Sequence, residues 1–242
     1  MVSEVIIIGG GNSINEGLAL GLKEKLQDKF VVALNYSYKY FPHTYLCFMD
    51  KLFYKSSNTT QNPDIYEELK QEALIIGKED AELTKHKLPN TILLKSSSEY
   101  QREKAKLKGF YNGSLTGIFA ITVATYLMNF KGNLFLLGYD WNRRNPTEVD
   151  KHNYSGNTDI KTHYYSDIKH RGVGWVSYYE NHSPETYFKC FIDSELKIYN
   201  VSLNSNINCF ERISFEHMFT LLNNEKYNQD EIRESIKNKL RS

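Results

Sequence analysis

Four consecutive β-branched apolar residues, Val5-Ile6-Ile7-Ile8, run directly into Gly9-Gly10-Gly11 and then into a segment of helical periodicity. A run without polar alternation fits a strand covered on both faces, as in a parallel sheet. After the glycines, Ile14, Leu18, Leu22 and Leu26 recur every fourth residue and predict one apolar helix face. Ser13 and Glu16 have the spacing of a capping box at the start of that helix. The segment reads as the opening strand, turn and helix of an open α/β sheet, whose ligands sit beyond the carboxyl ends of the strands. Glycines let a backbone approach a ligand closely, and the N–H groups of a helix start favour an anion. Gly9, Gly10, Gly11, Asn12 and Ser13 are therefore candidates for contact with a nucleotide phosphate. A plain tight turn between strand and helix is the competing reading.

The turn is a poor match to an NAD site. A dinucleotide fingerprint has a third glycine where this chain has Ile14, and an acidic residue at the end of the second strand. The second strand, Val31 to Leu34, ends instead in Asn35, a side chain that both donates and accepts hydrogen bonds. No Gly-Lys-Ser or Gly-Lys-Thr follows the turn, which excludes a P-loop.

A chain of 242 residues can bury one substantial core, so a single domain over 1–242 is the expectation. Lys and Arg number 30 against 29 Asp and Glu, which leaves no global basic field for nonspecific nucleic-acid binding. Cys47, Cys190 and Cys209 are odd in number and widely spaced, which suits a reducing compartment, and none forms a zinc-type pair. No apolar run reaches the length of a membrane span. The expectation is a soluble cytoplasmic protein, with peripheral association to the inner membrane through a surface helix left open.

Further along, Tyr45 to Met49 is a third apolar run that delivers Asp50 at its carboxyl end. A polar loop over 56–63, a helix over 65–71 and short strands over 73–76 and 91–94 follow. Asn112 to Gly117 then opens the buried helix of Leu115 to Met128, placing Thr116 and Gly117 at its start. The strand Leu134 to Leu137 ends in Gly138-Tyr139-Asp140-Trp141, and a carboxylate after a fully apolar strand must find a partner. Residues 142–184 form an unusually long connection, of the kind used as lids and binding loops. It carries Trp175, Tyr178, His163, His170, Arg171, Arg143 and His182, aromatic and cationic groups suited to sugar rings and phosphates. A helix from about residue 184, a strand over 196–201 and a helical region over 212–242 complete the chain. Its amphipathic end, 230–240, reads as a surface helix or as the contact of a homo-oligomer.

This order of motifs resembles the bacterial sialyltransferases of glycosyltransferase family 42 and the related group, with phage members, around 6-hydroxymethylpterin diphosphokinase. The resemblance rests on Gly9-Gly10-Gly11-Asn12-Ser13, Asn35, Thr116-Gly117, Gly138-Tyr139-Asp140 and His182-Ser183, and covers roughly residues 4–210 in order of elements. It implies a Rossmann-like domain, a variant of the glycosyltransferase A fold, with a mostly parallel sheet flanked by helices and an aromatic lid over 142–184. It further implies a transferase that moves a sugar, of sialic-acid type, from a nucleotide-activated donor to a glycan or small hydroxyl acceptor without a metal cofactor.

On that resemblance the glycine turn contacts the phosphate, Asn35 the nucleoside, Thr116 the donor, and His182 removes the acceptor proton, with His163 and His170 as its rivals for that role. A histidine suits that task, because one ring nitrogen can accept while the other is fixed by a neighbour. The chain departs from the family pattern at Gly10 and Asp50, where the family has asparagines, and at Asn142, where it has a tyrosine. Arg143 or Arg144 is then the candidate for pairing with the leaving phosphate. Two alternatives stay open: an ATP-dependent diphosphotransferase with Mg²⁺ on Asp50 and Asp140, and a noncatalytic nucleotide-binding phage accessory protein.

Overall fold

A computed structural model describes residues 2–49, 66–80, 84, 88–141, 183–193 and 195–241. The apolar runs form the strands. These are β1 (Glu4–Ile8), β2 (Val31–Leu34), β3 (Tyr45–Phe48), β4 (Ile75–Lys78) and β5 (Thr91–Leu94) in the first half. A two-residue pair, β6 (Ser96–Ser97) and β7 (Phe110–Tyr111), makes a small separate sheet. The second half supplies β8 (Gly132–Leu137), β9 (Leu196–Val201) and β10 (Glu211–Arg212).

The main sheet has eight strands in the order β10-β9-β8-β1-β2-β3-β4-β5, and every pairing in it is parallel. This is a Rossmann-like α/β sheet. The chain builds outward from β1 through β2 to β5, then returns to place β8 on the other side of β1 and builds outward again. The strand order therefore reverses between β1 and β8. In a parallel sheet such a reversal opens a crevice at the carboxyl ends of the two strands, because the connections leave in opposite directions.

Helices cover both faces. Those on the main chain path are α1 (Ile14–Ala19), α2 (Leu22–Lys25), α3 (Tyr66–Leu69), α4 (Ala105–Lys108) and α5 (Thr116–Leu127). After β8 come α6 (Glu185–Phe188), α7 (Phe215–Leu221) and α8 (Gln229–Arg241). Alternation along the strands sorts side chains between the faces. Val5, Ile7, Leu134 and Leu136 pack with the buried side of α5 and with Ile236 and Leu240 of α8. Ile6, Ile8, Phe135 and Leu137 pack with Ile14, Leu22 and Leu26, and with Phe215 and Met218 of α7. No helix among the described residues is long and apolar enough to cross a membrane.

Several local expectations are corrected. The helix expected from residue 14 through Leu26 is two helices, because Gly21 adopts a left-handed φ of 79° between α1 and α2. Its apolar face survives the break, since Ile14, Leu18, Leu22 and Leu26 share one cluster. β4 lies two residues later than the strand expected over 73–76. Strands β6, β7 and β10 carry no sequence pattern that announces them.

Candidate functional site

The parallel topology brings the ends of β1, β2, β8 and β9 to one rim. Gly9 to Ser13 follow β1, Asn35 follows β2, and Gly138 to Trp141 follow β8. The turns after β1 and β8 are stitched together backbone to backbone. Gly9 N–H donates to Leu137 O at 2.7 Å, and Gly11 N–H donates to Gly138 O at 3.0 Å. No side chain fits between them. A Cβ on Gly11 would lie 2.6 Å from both Asp140 Cγ and Gly138 O, and Gly138 itself sits at φ +70° with its missing Cβ 2.9 Å from Gly11 N. The glycine requirement here is thus close approach of two chain segments.

Asp140 completes the junction. Its carboxylate accepts from Ser13 Oγ at 2.5 Å and from Ser13 N–H at 3.0 Å, and the residue is only 8% exposed. The carboxylate expected to need a partner finds it at the start of α1, where the helix dipole also favours negative charge. The expected capping box does not form. Ser13 is already in the helical region at φ −56°, ψ −22°, makes no cap bond of its own, and turns its hydroxyl to Asp140 in place of the first turn. A charge-assisted bond outcompetes a neutral local one.

Asn35 begins the 3₁₀ turn Asn35–Lys39 with a left-handed φ of 48°, a conformation Asn tolerates. Two residues on, fully buried Ser37 donates its hydroxyl to Gly9 O at 3.0 Å and ties this turn to the glycine turn. The Asn35 side-chain oxygen is buried and has no hydrogen-bond partner among the described residues. Gly117, which Thr116 precedes in α5, also reaches the rim. Tyr139 Oη donates to Gly117 O at 3.1 Å, and a Cβ on Gly117 would lie 2.9 Å from the Tyr139 ring, so this glycine admits the ring. Burial pushes the Tyr139 phenol far above its ordinary value, keeping it a neutral donor.

The structure thus brings together Gly9, Gly11, Ser13 and Asp140, with Asn35 tied in through Ser37 and Gly117 through Tyr139, while Gly10 and Asn12 lie in the same turn and Thr116 precedes Gly117. Asp50, Arg143, His163, His170, Arg171, Trp175, Tyr178 and His182, with the expected lid, lie outside the described residues. Among the described residues no cluster of His, Cys, Asp or Glu is arranged to hold a metal ion. Sequence reasoning missed Ser37, which bonds to Gly9 O, and three residues that bond to the Asp140 turn: Asn200 within β9, and Ser205 and Asn206 after it. One signal was present, the amide of Asn200 inside the otherwise apolar end of a strand. Compared with protein-family models, curated proteins and solved structures, the chain finds no match.

Proposed function

We propose that the rim between β1 and β8 binds a nucleotide-activated sugar, and that the protein transfers the sugar to a hydroxyl acceptor. The observation that carries this reading is the meeting of the glycine turn and the Asp140 turn at the point where the strand order reverses. Open parallel sheets take their nucleotides at such a point. Asn35 supports it further, since a donor on a nucleoside placed after β2 would satisfy a buried oxygen that lacks a partner. Sugar transfer ranks ahead of phosphoryl transfer because both Asp140 oxygens are engaged by Ser13, which leaves that carboxylate poorly disposed to bridge Mg²⁺. The resemblance supplies the remaining roles, with His182 as general base and Arg143 at the leaving phosphate.

A thermal-shift panel of CMP, CDP, UDP, GDP, ADP and ATP, each with Mg²⁺ and with chelator, tests the reading. A ligand at a hundred times its Kd stabilises by about 2.7 kcal/mol. For a chain of this size that is a rise in Tm of roughly 5–10 °C. The expected result is a rise with a pyrimidine nucleotide in chelator, and a His182→Ala variant that keeps this rise but loses sugar transfer. A shift confined to ATP with Mg²⁺ would replace sugar transfer by phosphoryl transfer, and the absence of any shift would leave an accessory protein.

A further inference from the structure

The turn that bears Asp140 is held by the end of β9 and the chain that follows it. Three successive carbonyls of that turn are each met by a donor. Asn200 Nδ2 donates to Tyr139 O at 3.1 Å, and Ser205 Oγ donates to the same oxygen at 2.7 Å. Asn206 N–H donates to Asp140 O at 3.0 Å, and Asn206 Nδ2 donates to Trp141 O at 2.8 Å. Asn200 and Ser205 also brace each other. Ser205 Oγ accepts from Asn200 Nδ2 at 2.8 Å and from Ile207 N–H at 3.1 Å, which saturates a single hydroxyl with one donation and two acceptances. Arg212, on the edge strand β10, donates to Ser205 O at 2.9 Å.

The turn needs such support. Gly138 and Trp141 both adopt left-handed φ, 70° and 43°, and a bulky residue in that region persists only where its surroundings impose it. Asn200 shows that the support has a cost. It is fully buried, and its Oδ1 has no hydrogen-bond partner among the described residues, so the amide keeps its two donors in place at the expense of an orphaned acceptor. An apolar side chain at this position would remove that penalty and would also remove the bond to Tyr139 O.

We propose that Asn200, Ser205 and Asn206 are positioning residues that fix Asp140 against Ser13 and thereby hold the turn after β8 on the turn after β1. They touch the backbone of the turn and act on a ligand only through Asp140. The consequence for ligand binding rests on the reading of this rim as the nucleotide site; the positioning of Asp140 does not.

The test follows the Ser13 amide by hydrogen exchange in the intact ¹⁵N-labelled protein, with the Ile7 amide of β1 as a reference for global opening. Ser205→Ala and Asn206→Ala are compared with Asp140→Ala, which sets the full effect, and with Thr125→Ala, which removes a buried hydroxyl bonded only within α5. Asn206 is exposed in its side-chain bond, so its variant folds even where Ser205→Ala does not. Each clamp variant is expected to speed Ser13 exchange roughly tenfold relative to Ile7, the loss of about one hydrogen bond. Thr125→Ala is expected to leave that ratio unchanged. Nucleotide affinity should fall in the same order as Ser13 protection. Ser13 protection at the wild-type ratio in Asn206→Ala and in folded Ser205→Ala would overturn the proposal. Loss of Ser13 protection in a protein that binds no nucleotide would uphold the clamp and remove the proposed function.

Discussion

Removing the Asp140 carboxylate separates the two readings of Ser13, local helix cap and long-range partner. Asp140→Ala deletes two bonds to a carboxylate that is nearly buried. Hydrogen bonds to charged groups are each worth about 1.5–3 kcal/mol net, and water reaching the rim recovers part of that. The expected loss is about 2–4 kcal/mol. Asp140→Asn can keep both contacts, its oxygen on Ser13 N–H and its amide on Ser13 Oγ, so only the charge is lost and about 1 kcal/mol is expected. The decisive comparison is Ser13→Ala in both backgrounds. In the wild type it removes the 2.5 Å bond and should cost about 1–2 kcal/mol, whereas beside Ala at 140 it should cost under about 0.5 kcal/mol. Glu16→Ala serves as the control, because a working capping box would make it cost about 1 kcal/mol while the observed geometry leaves it within about 0.5 kcal/mol of neutral. Urea denaturation with a constant m-value reads all of these. Equal costs of Ser13→Ala in the two backgrounds would refute the coupling.

Two further perturbations probe the parts of the fold that flank the rim. Gly17 faces α7, and a Cβ there would lie 2.7 Å from Cδ1 and 2.8 Å from Cζ of the buried Phe215 ring. Gly17→Ala is expected to lose about 1–2 kcal/mol, since overpacking outweighs the roughly 1 kcal/mol of helix propensity gained, and Phe215→Leu should relieve it. Stabilisation by Gly17→Ala in urea would contradict this packing. Glu4, buried in β1, has its carboxyl pushed above the usual 4.5 by desolvation, with the Asn223 N–H and Lys29 pulling the other way. The folded state then holds its proton more tightly than the unfolded state, so this group favours folding below about pH 4.5 and that contribution is lost as pH rises through the raised value. The Tm of Glu4→Gln relative to wild type should therefore climb between about pH 4 and pH 8, and a flat or falling difference would refute the sign.

What could be read from the sequence tracks how locally each feature is determined. β1, β2, β3 and β8 were legible because burial on both faces leaves apolar runs, and β9 because Leu196, Ile198, Tyr199 and Val201 remain apolar around Lys197 and Asn200. α5 was legible for the same reason, being buried along nearly its whole length from Ile118 to Leu127. β10 was not, since Glu211 and Arg212 are exposed and owe their strand conformation to the neighbouring β9. The break at Gly21 escaped the periodicity because α2 resumes the same apolar face after the turn. At the rim, the glycine turn, Asn35 and Asp140 were legible as residues that end strands. Their connections were not: the partner of Ser13 lies 127 residues away, and two of the residues that hold the Asp140 turn, Ser205 and Asn206, sit in a loop whose Ser and Asn residues resemble those of any surface connection.

The same connections change how the proposed ligand would be held. A phosphate-binding turn of the P-loop kind presents its backbone N–H groups to the ligand. Here the N–H groups of Gly9, Gly11 and Ser13 are spent on Leu137 O, Gly138 O and Asp140, and the Asp140 carboxylate lies against the helix start where an anion would otherwise be drawn. In the proposed complex, affinity therefore has to come less from a backbone cradle and more from the nucleoside end, where Asn35 offers a buried acceptor, and from cationic side chains brought to the rim. Such a division of labour suits group transfer from an activated sugar. In that proposal the nucleoside would anchor the donor, the turn after β1 would supply a wall, and cationic side chains would meet the leaving phosphate.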